Sequence, residues 1–94
     1  MASRIKLKGE ETAMGVTSSA NASTFNNAVA LRIINTHAST TFLVTHVAAV
    51  GAGTTVIGSF RMPAGTIEYV EKKPNEALWA ANGAVKASPI GFTN

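Results

Sequence analysis

Apolar and polar residues alternate along several short stretches of this chain, beginning at its N-terminal end. In RIKLK (4–8), Ile5 and Leu7 fall on one face of an extended chain and the basic residues on the other. Successive side chains of a β-strand point to opposite faces, so this alternation predicts a short strand. We call residues 4–8 the basic arm.

A long polar segment follows the basic arm. Residues 9–27 are rich in Gly, Ser, Thr and Asn, and their apolar residues, such as Met14, Val16 and Phe25, are isolated. No strand or helix period is present, which is typical of a linker or an extended loop. A structureless loop of this length is easier to accept at a terminus than inside a compact domain. We therefore predict an N-terminal arm and polar linker over 1–27 and a folded body over 28–94.

The body contains five further stretches that predict strands. Residues 28–36 alternate, with Val29, Leu31 and Ile33 expected to point inward and Arg32 outward. Residues 40–50 are rich in β-branched side chains and have two candidate buried faces. The remaining predicted strands cover residues 54–62, 66–73 and 84–92.

Turn residues separate these stretches. The sequence Gly51-Ala52-Gly53 predicts a tight connection, and residues 62–65 (Met-Pro-Ala-Gly) predict a type I turn. Pro74 ends a strand because it has no N–H to donate, and Asn75 could then cap a single helical turn over residues 76–79. Short strands at this spacing indicate an all-β fold. We expect a small β-sandwich or barrel of about five to six strands, with an extended N-terminal arm and one short helical turn.

The charge of the chain is concentrated in the basic arm. The 94 residues, enough for one small domain, carry a net charge of +3. Arg4, Lys6 and Lys8 account for it, because the five other basic residues balance the five glutamates. The body therefore offers no basic face for nucleic acid.

The residue types that carry most enzyme chemistry are scarce. The chain has no Cys and no Asp, and its histidines, His37 and His46, have no nearby partners in the sequence to complete a zinc site. Glu68 and Glu71 lie three positions apart on a predicted strand, so they face opposite sides and cannot act as a carboxylate pair. We expect no enzymatic activity, no metal and no cofactor. No signal peptide or membrane span is recognised, and we expect synthesis in a cytoplasm.

The basic arm is the strongest candidate for a partner-binding element. Its alternation favours addition as a β-strand to the edge of a neighbouring chain. A frayed or self-paired terminus and a nucleic-acid contact are the alternatives, but the arm lacks the aromatic residues expected of a single-strand binder. Trp79 either plugs the open end of the core or anchors an interface. The predicted partner-binding residues are Arg4, Ile5, Lys6, Leu7, Lys8 and Trp79.

Four stretches set the layout of the whole chain: MASRIKLKGEETAMG, ALRIINTHASTTFLVTHV, IGSFRMPAGTIEYVEKKPNEALWA and AVKASPIGFTN. In these stretches the chain resembles the small virion structural proteins of tailed bacteriophages, especially those that infect marine cyanobacteria. The resemblance implies a non-enzymatic particle component made in the host bacterial cytoplasm, in particular a capsid decoration protein. The implied partners are the major capsid protein and neighbouring copies, in a homo-oligomer or on the capsid lattice.

Other functions share this composition. A neck or tail component of the virion is one alternative, and a small nucleic-acid-binding protein that uses the basic arm is another. A host-surface sugar binder would also fit a β-fold, but the chain has only six aromatic residues (Phe, Trp and Tyr) with which to build a sugar platform.

Overall fold

The computed structural model of the chain describes residues 4–16 and 18–93, and these residues form a two-sheet all-β globule. The described part contains eight strands and one 3-10 turn, so the predicted all-β class is confirmed. The strands are β1 (Arg4–Leu7), β2 (Thr12–Ala13), β3 (Ala30–Asn35), β4 (Phe42–Val47), β5 (Val56–Met62), β6 (Ile67–Glu71), β7 (Ala77–Ala80) and β8 (Val85–Thr93). The 3-10 turn is Ser19–Asn21.

The first sheet has the order β1-β8-β3-β6, and all of its pairs are antiparallel. β2 also pairs with β8, so β1 and β2 lie one after the other along the same edge. Leu7 lies opposite Ile90 and Thr12 lies opposite Ala87. Residues 4–7 and 12–13 are therefore part of the sheet of their own chain and cover an edge of β8. Residues 1–3 of the predicted arm lie outside the described residues.

The second sheet has the order β5-β4-β7. β7 occupies the stretch for which a helical turn was expected, so that placement is wrong. Four residues are too few to nucleate a stable helix in isolation. Pairing with β4 places Trp79 opposite Thr45, and these long-range contacts override the local preference of Ala and Leu for helix.

The core lies between the two sheets. Leu31 and Ile33 come from the first sheet and Val44 and Leu78 from the second, and all four are fully buried. The inward prediction for Leu31 and Ile33 is thereby confirmed. Val29 is exposed, because β3 begins at the residue after it.

The polar segment is a structural part of the body, which corrects its interpretation as a linker and the boundary at residue 27. Met14 and Phe25 are buried in the core between the sheets. Ser23 exchanges two main-chain hydrogen bonds with Leu78, and Ala80 N–H donates to the Gly15 carbonyl over 2.9 Å. The segment thus covers the outer edge of β7. The apolar residues of this segment do not recur with a strand or helix period. Each packs separately against core residues that are distant in the sequence.

The turn between β5 and β6 differs from its predicted type. The Thr66 N–H donates to the Pro63 carbonyl over 3.1 Å, so the turn spans residues 63–66, one position later than expected. Gly65 then occupies the third position with φ of 76°, a value that favours glycine and is typical of a type II turn. This short turn carries the chain from the second sheet to the first and places β5 and β6 on the same side of the sandwich.

Candidate interaction surfaces

The basic arm forms one outer edge of the first sheet. Its residues pair with β8 of the same chain, the self-paired alternative among those considered, with Arg4 opposite Thr93 and Lys6 opposite Gly91. Lys6, Leu7 and Lys8 are exposed, and Leu7 keeps 73% of its surface accessible. The arm therefore presents cations and an apolar side chain to the outside while its strand is already ordered.

The opposite side of the sandwich is formed by β5 and β6, and we call it the open side. Among residues 4–16 and 18–93, each strand is the last of its sheet and has a strand neighbour on one side only. Val56, Ile57, Ile67 and Tyr69 are large apolar side chains that remain about half exposed there. Single exposed apolar residues are ordinary, but a row of them along two adjacent sheet edges is typical of an interaction surface.

On the open side, β6 carries two acidic side chains. Glu68 lies opposite Ile33 and Glu71 opposite Ala30, so the two carboxylates are on different faces of the sheet, in agreement with their spacing. Both are exposed. Glu68, Arg61 and Tyr69 line a shallow cleft between the two edge strands.

Trp79 lies on β7 and is partly buried. It packs against a small cluster of Ala22, Val47 and Ala77, which the polar segment helps to close. Its indole N–H is buried and has no hydrogen-bond acceptor within the described residues. Ala22 belongs to the polar segment, so this segment forms part of the surroundings of the Trp79 ring.

A polar cluster between β4 and the β6–β7 turn was not predicted from the sequence. The Glu76 carboxylate oxygen Oε1 accepts a hydrogen bond from the Lys73 N–H over 2.9 Å and lies 3.1 Å from His46 Nε2. The main-chain N–H of Lys73, and after it His46, lower the pKa of Glu76. His46 and Glu76 are thirty positions apart, and the pairing of β4 with β7 brings them together.

Lys72 adds a buried cation to this cluster. Its side chain is almost fully buried, and its Nζ donates to the carbonyls of Lys73 and Pro74 over 3.4 and 3.3 Å. Burial lowers the pKa of Lys72, while the nearby Glu76 carboxylate acts in the opposite direction. These contacts go mainly to the main chain of the turn itself, so the cluster fixes the path from β6 to β7.

Within residues 4–16 and 18–93, no three His, Cys, Asp or Glu side chains converge in a way that could hold a metal ion. No helix in the same residues is long and apolar enough to cross a membrane. Comparisons with protein families, with curated proteins and with solved structures find no match to this chain.

Proposed function

We propose that this protein is a non-enzymatic structural component of a bacteriophage particle, a capsid decoration protein that binds neighbouring subunits through the edges of its sheets. The observation that carries the proposal is the open side. In the part of the chain that the structure describes, one main-chain edge of β5 has no strand neighbour, and Val56 and Ile57 of this strand are about half exposed.

The sequence of β5 is consistent with an edge that a partner chain covers. Monomeric β-proteins protect an outer strand with lysine, proline or a bulge, because an unprotected edge pairs with other chains. The first five residues of β5, Val-Ile-Gly-Ser-Phe, carry no charge and no proline. The register with β4 shifts where His46 pairs with Gly58 and Val47 with Val56, so Ile57 is an extra residue near the start of β5. From Gly58 to Met62 the pairing is regular, and this stretch contains no lysine, no proline and no bulge. A strand of this kind suits a protein whose edge is covered in an assembly.

The setting in a phage particle rests on the resemblance of the chain to tailed-phage virion proteins. Such components are present in many copies, and a lattice supplies neighbours at high local concentration. Partner contacts of this kind stabilise a small domain by mass action. With only 14% charged residues, the chain has the composition of a surface that packs against other chains.

The proposal is tested by placing a charge on the open side. Ile57→Lys introduces an ammonium group on β5, and Val50→Lys is the matched control in the β4–β5 loop, since the two wild-type residues are 49% and 50% exposed. Each variant is co-produced with the capsid proteins of its phage, and copies per particle are counted by quantitative mass spectrometry. We expect Ile57→Lys to lower incorporation about tenfold or more, because a desolvated charge opposes docking. Equal incorporation of both variants at wild-type levels would refute docking through β5.

A further inference from the structure

We propose that copies of this protein join head to tail by continuing the first sheet, with the outer edge of β1 in one copy paired to the outer edge of β6 in the next. This inference deepens the proposed function and rests on it for its setting in a particle. It names a second copy of the chain as the occupant of the β6 edge.

Strand direction permits this continuation. β1, β8, β3 and β6 alternate in direction across the first sheet, because each neighbouring pair is antiparallel. β1 and β6 therefore run in opposite directions at the two outer edges. A second copy in a similar orientation brings its β1 antiparallel to β6, and the joined sheet keeps the pattern that it has within one chain.

The hydrogen bonds at each edge set which main-chain groups point outward. The Lys8 N–H donates to the Pro89 carbonyl over 3.0 Å, so by alternation the N–H and C=O of Leu7 face away from β8. The Lys72 N–H donates to the Val29 carbonyl over 2.9 Å, so the same groups of Glu71 face away from β3. Odd-numbered residues therefore supply the outward groups on both edges.

This shared parity limits the registers in which the two edges can pair. Outward-facing residues must lie opposite each other, so an odd residue of β1 meets an odd residue of β6. When Leu7 lies opposite Ile67, Lys6 lies opposite Glu68. Two residues further along, Leu7 lies opposite Tyr69 and Lys8 lies opposite Glu68.

Both registers join compatible side chains. Directly opposed residues in an antiparallel pair share one face, with Cβ atoms about 5 Å apart. Glu68 therefore meets a lysine in either case, and Leu7 meets an apolar side chain. All of these side chains are exposed in the single chain.

The rule that odd residues face odd residues disfavours a symmetric contact between two β1 edges. When Leu7 of one copy lies opposite Leu7 of the other, Lys6 lies opposite Lys8, and directly opposed like charges are destabilising. The β1–β6 contact avoids this repulsion, and it is heterologous because each partner contributes a different surface. Because sheets twist, repetition of such a contact produces a ring or a helical array.

Two proline substitutions test the contact in solution. Leu7→Pro and Tyr69→Pro each remove an outward N–H and leave the inward ladder of the strand in place. Tyr69 lies opposite Ile5 in the first register and opposite Leu7 in the second, so its N–H is used in both. Tyr69→Val is the matched control, since it removes the same aromatic side chain and keeps the N–H. Association of purified protein is followed by sedimentation velocity over a range of concentrations, and thermal melts by circular dichroism verify that each variant folds.

We expect the wild type and Tyr69→Val to form multimers that grow with concentration, while each proline variant stays monomeric. Mixing the two proline variants should give a one-to-one dimer that grows no further, because only one intact β1 edge and one intact β6 edge remain to pair. A wild type that is monomeric throughout would overturn the inference, as would dimers of either proline variant alone.

A charge exchange provides a second test that does not depend on proline. Glu68→Lys, or Lys6→Glu together with Lys8→Glu, should each raise the dissociation constant about tenfold or more by opposing like charges. Combining all three substitutions should restore association. Failure of the combined variant to recover would count against Glu68 facing a lysine. These measurements use the isolated protein, so a negative result leaves particle incorporation, the test of the proposed function, unaffected.

Discussion

The side-chain amide of Asn35 donates a hydrogen bond to the main-chain carbonyl of Met62 over 2.8 Å and so joins the two sheets of the sandwich. Asn35 is the last residue of β3 and Met62 the last of β5, and both are fully buried. The same amide donates to the Thr40 carbonyl over 2.9 Å, and its oxygen accepts the His37 N–H over 3.0 Å. One polar side chain thus ties together β3, β5 and the connection from β3 to β4.

Asn35→Asp should destabilise the protein strongly although the two side chains have the same shape. The substitution replaces an N–H donor with an oxygen that faces two carbonyl groups, and a buried carbonyl without a donor costs about 1–3 kcal/mol. We expect the free energy of unfolding to fall by about 2–4 kcal/mol in urea titrations at neutral pH. Asn75→Asp is the control at an exposed turn position. A comparable loss in both variants would show that the Asn35 contacts do not carry the effect.

Gly15→Ala should disturb the cover that the polar segment forms over β7. A Cβ at residue 15 would overlap the main-chain carbonyl oxygen of Asn21, a group that cannot move without displacing the 3-10 turn. We expect a loss of about 2 kcal/mol or more in stability, together with faster hydrogen exchange at the amide of Ala80. Gly58→Ala, in β5, is the matched control because nothing lies within contact distance of a Cβ there.

The contribution of Glu76 to stability should depend on pH in a defined direction. Its pKa is lowered in the folded chain, so the folded state favours the carboxylate and the stabilisation is present above the ordinary value of 4.5. It is lost as the pH falls through the lower folded value. Glu76→Gln should therefore be less stable than the wild type near pH 7, and the two curves of unfolding free energy against pH should converge in acid.

Glu71→Gln supplies the comparison, since it removes one exposed negative charge on β6 without touching the contact of His46 with Glu76. The comparison separates the loss of one charge from the loss of the Glu76 contacts. A difference between Glu76→Gln and the wild type that stays constant from neutral to acid pH would contradict the role given to the ionised carboxylate.

The parts of the fold that follow a local period could be read from the sequence. Leu31 and Ile33 are separated by the polar, half-exposed Arg32, and the strand and its buried face follow from this alternation. Turn residues likewise marked where the strands end. The turn between β5 and β6 begins one residue later than predicted, so Gly65 is its third residue and not its fourth.

The remaining parts depend on contacts between residues far apart in the chain. Met14 and Phe25 show no period, yet they fill places in the core that the two sheets leave. β7 is a strand because β4 lies beside it, and the same pairing creates the contact of His46 with Glu76. The alternation of the basic arm predicted a strand, but its partner, β8, could be identified only from the three-dimensional arrangement.

The copy number of this chain in purified phage particles tests the central claim most directly. Quantitative mass spectrometry of disrupted particles gives the ratio of this chain to the major capsid protein. A decoration protein should give a ratio near one or a simple fraction set by the lattice sites. A few copies per particle would instead indicate a neck or tail component, and absence from the particle would contradict the account.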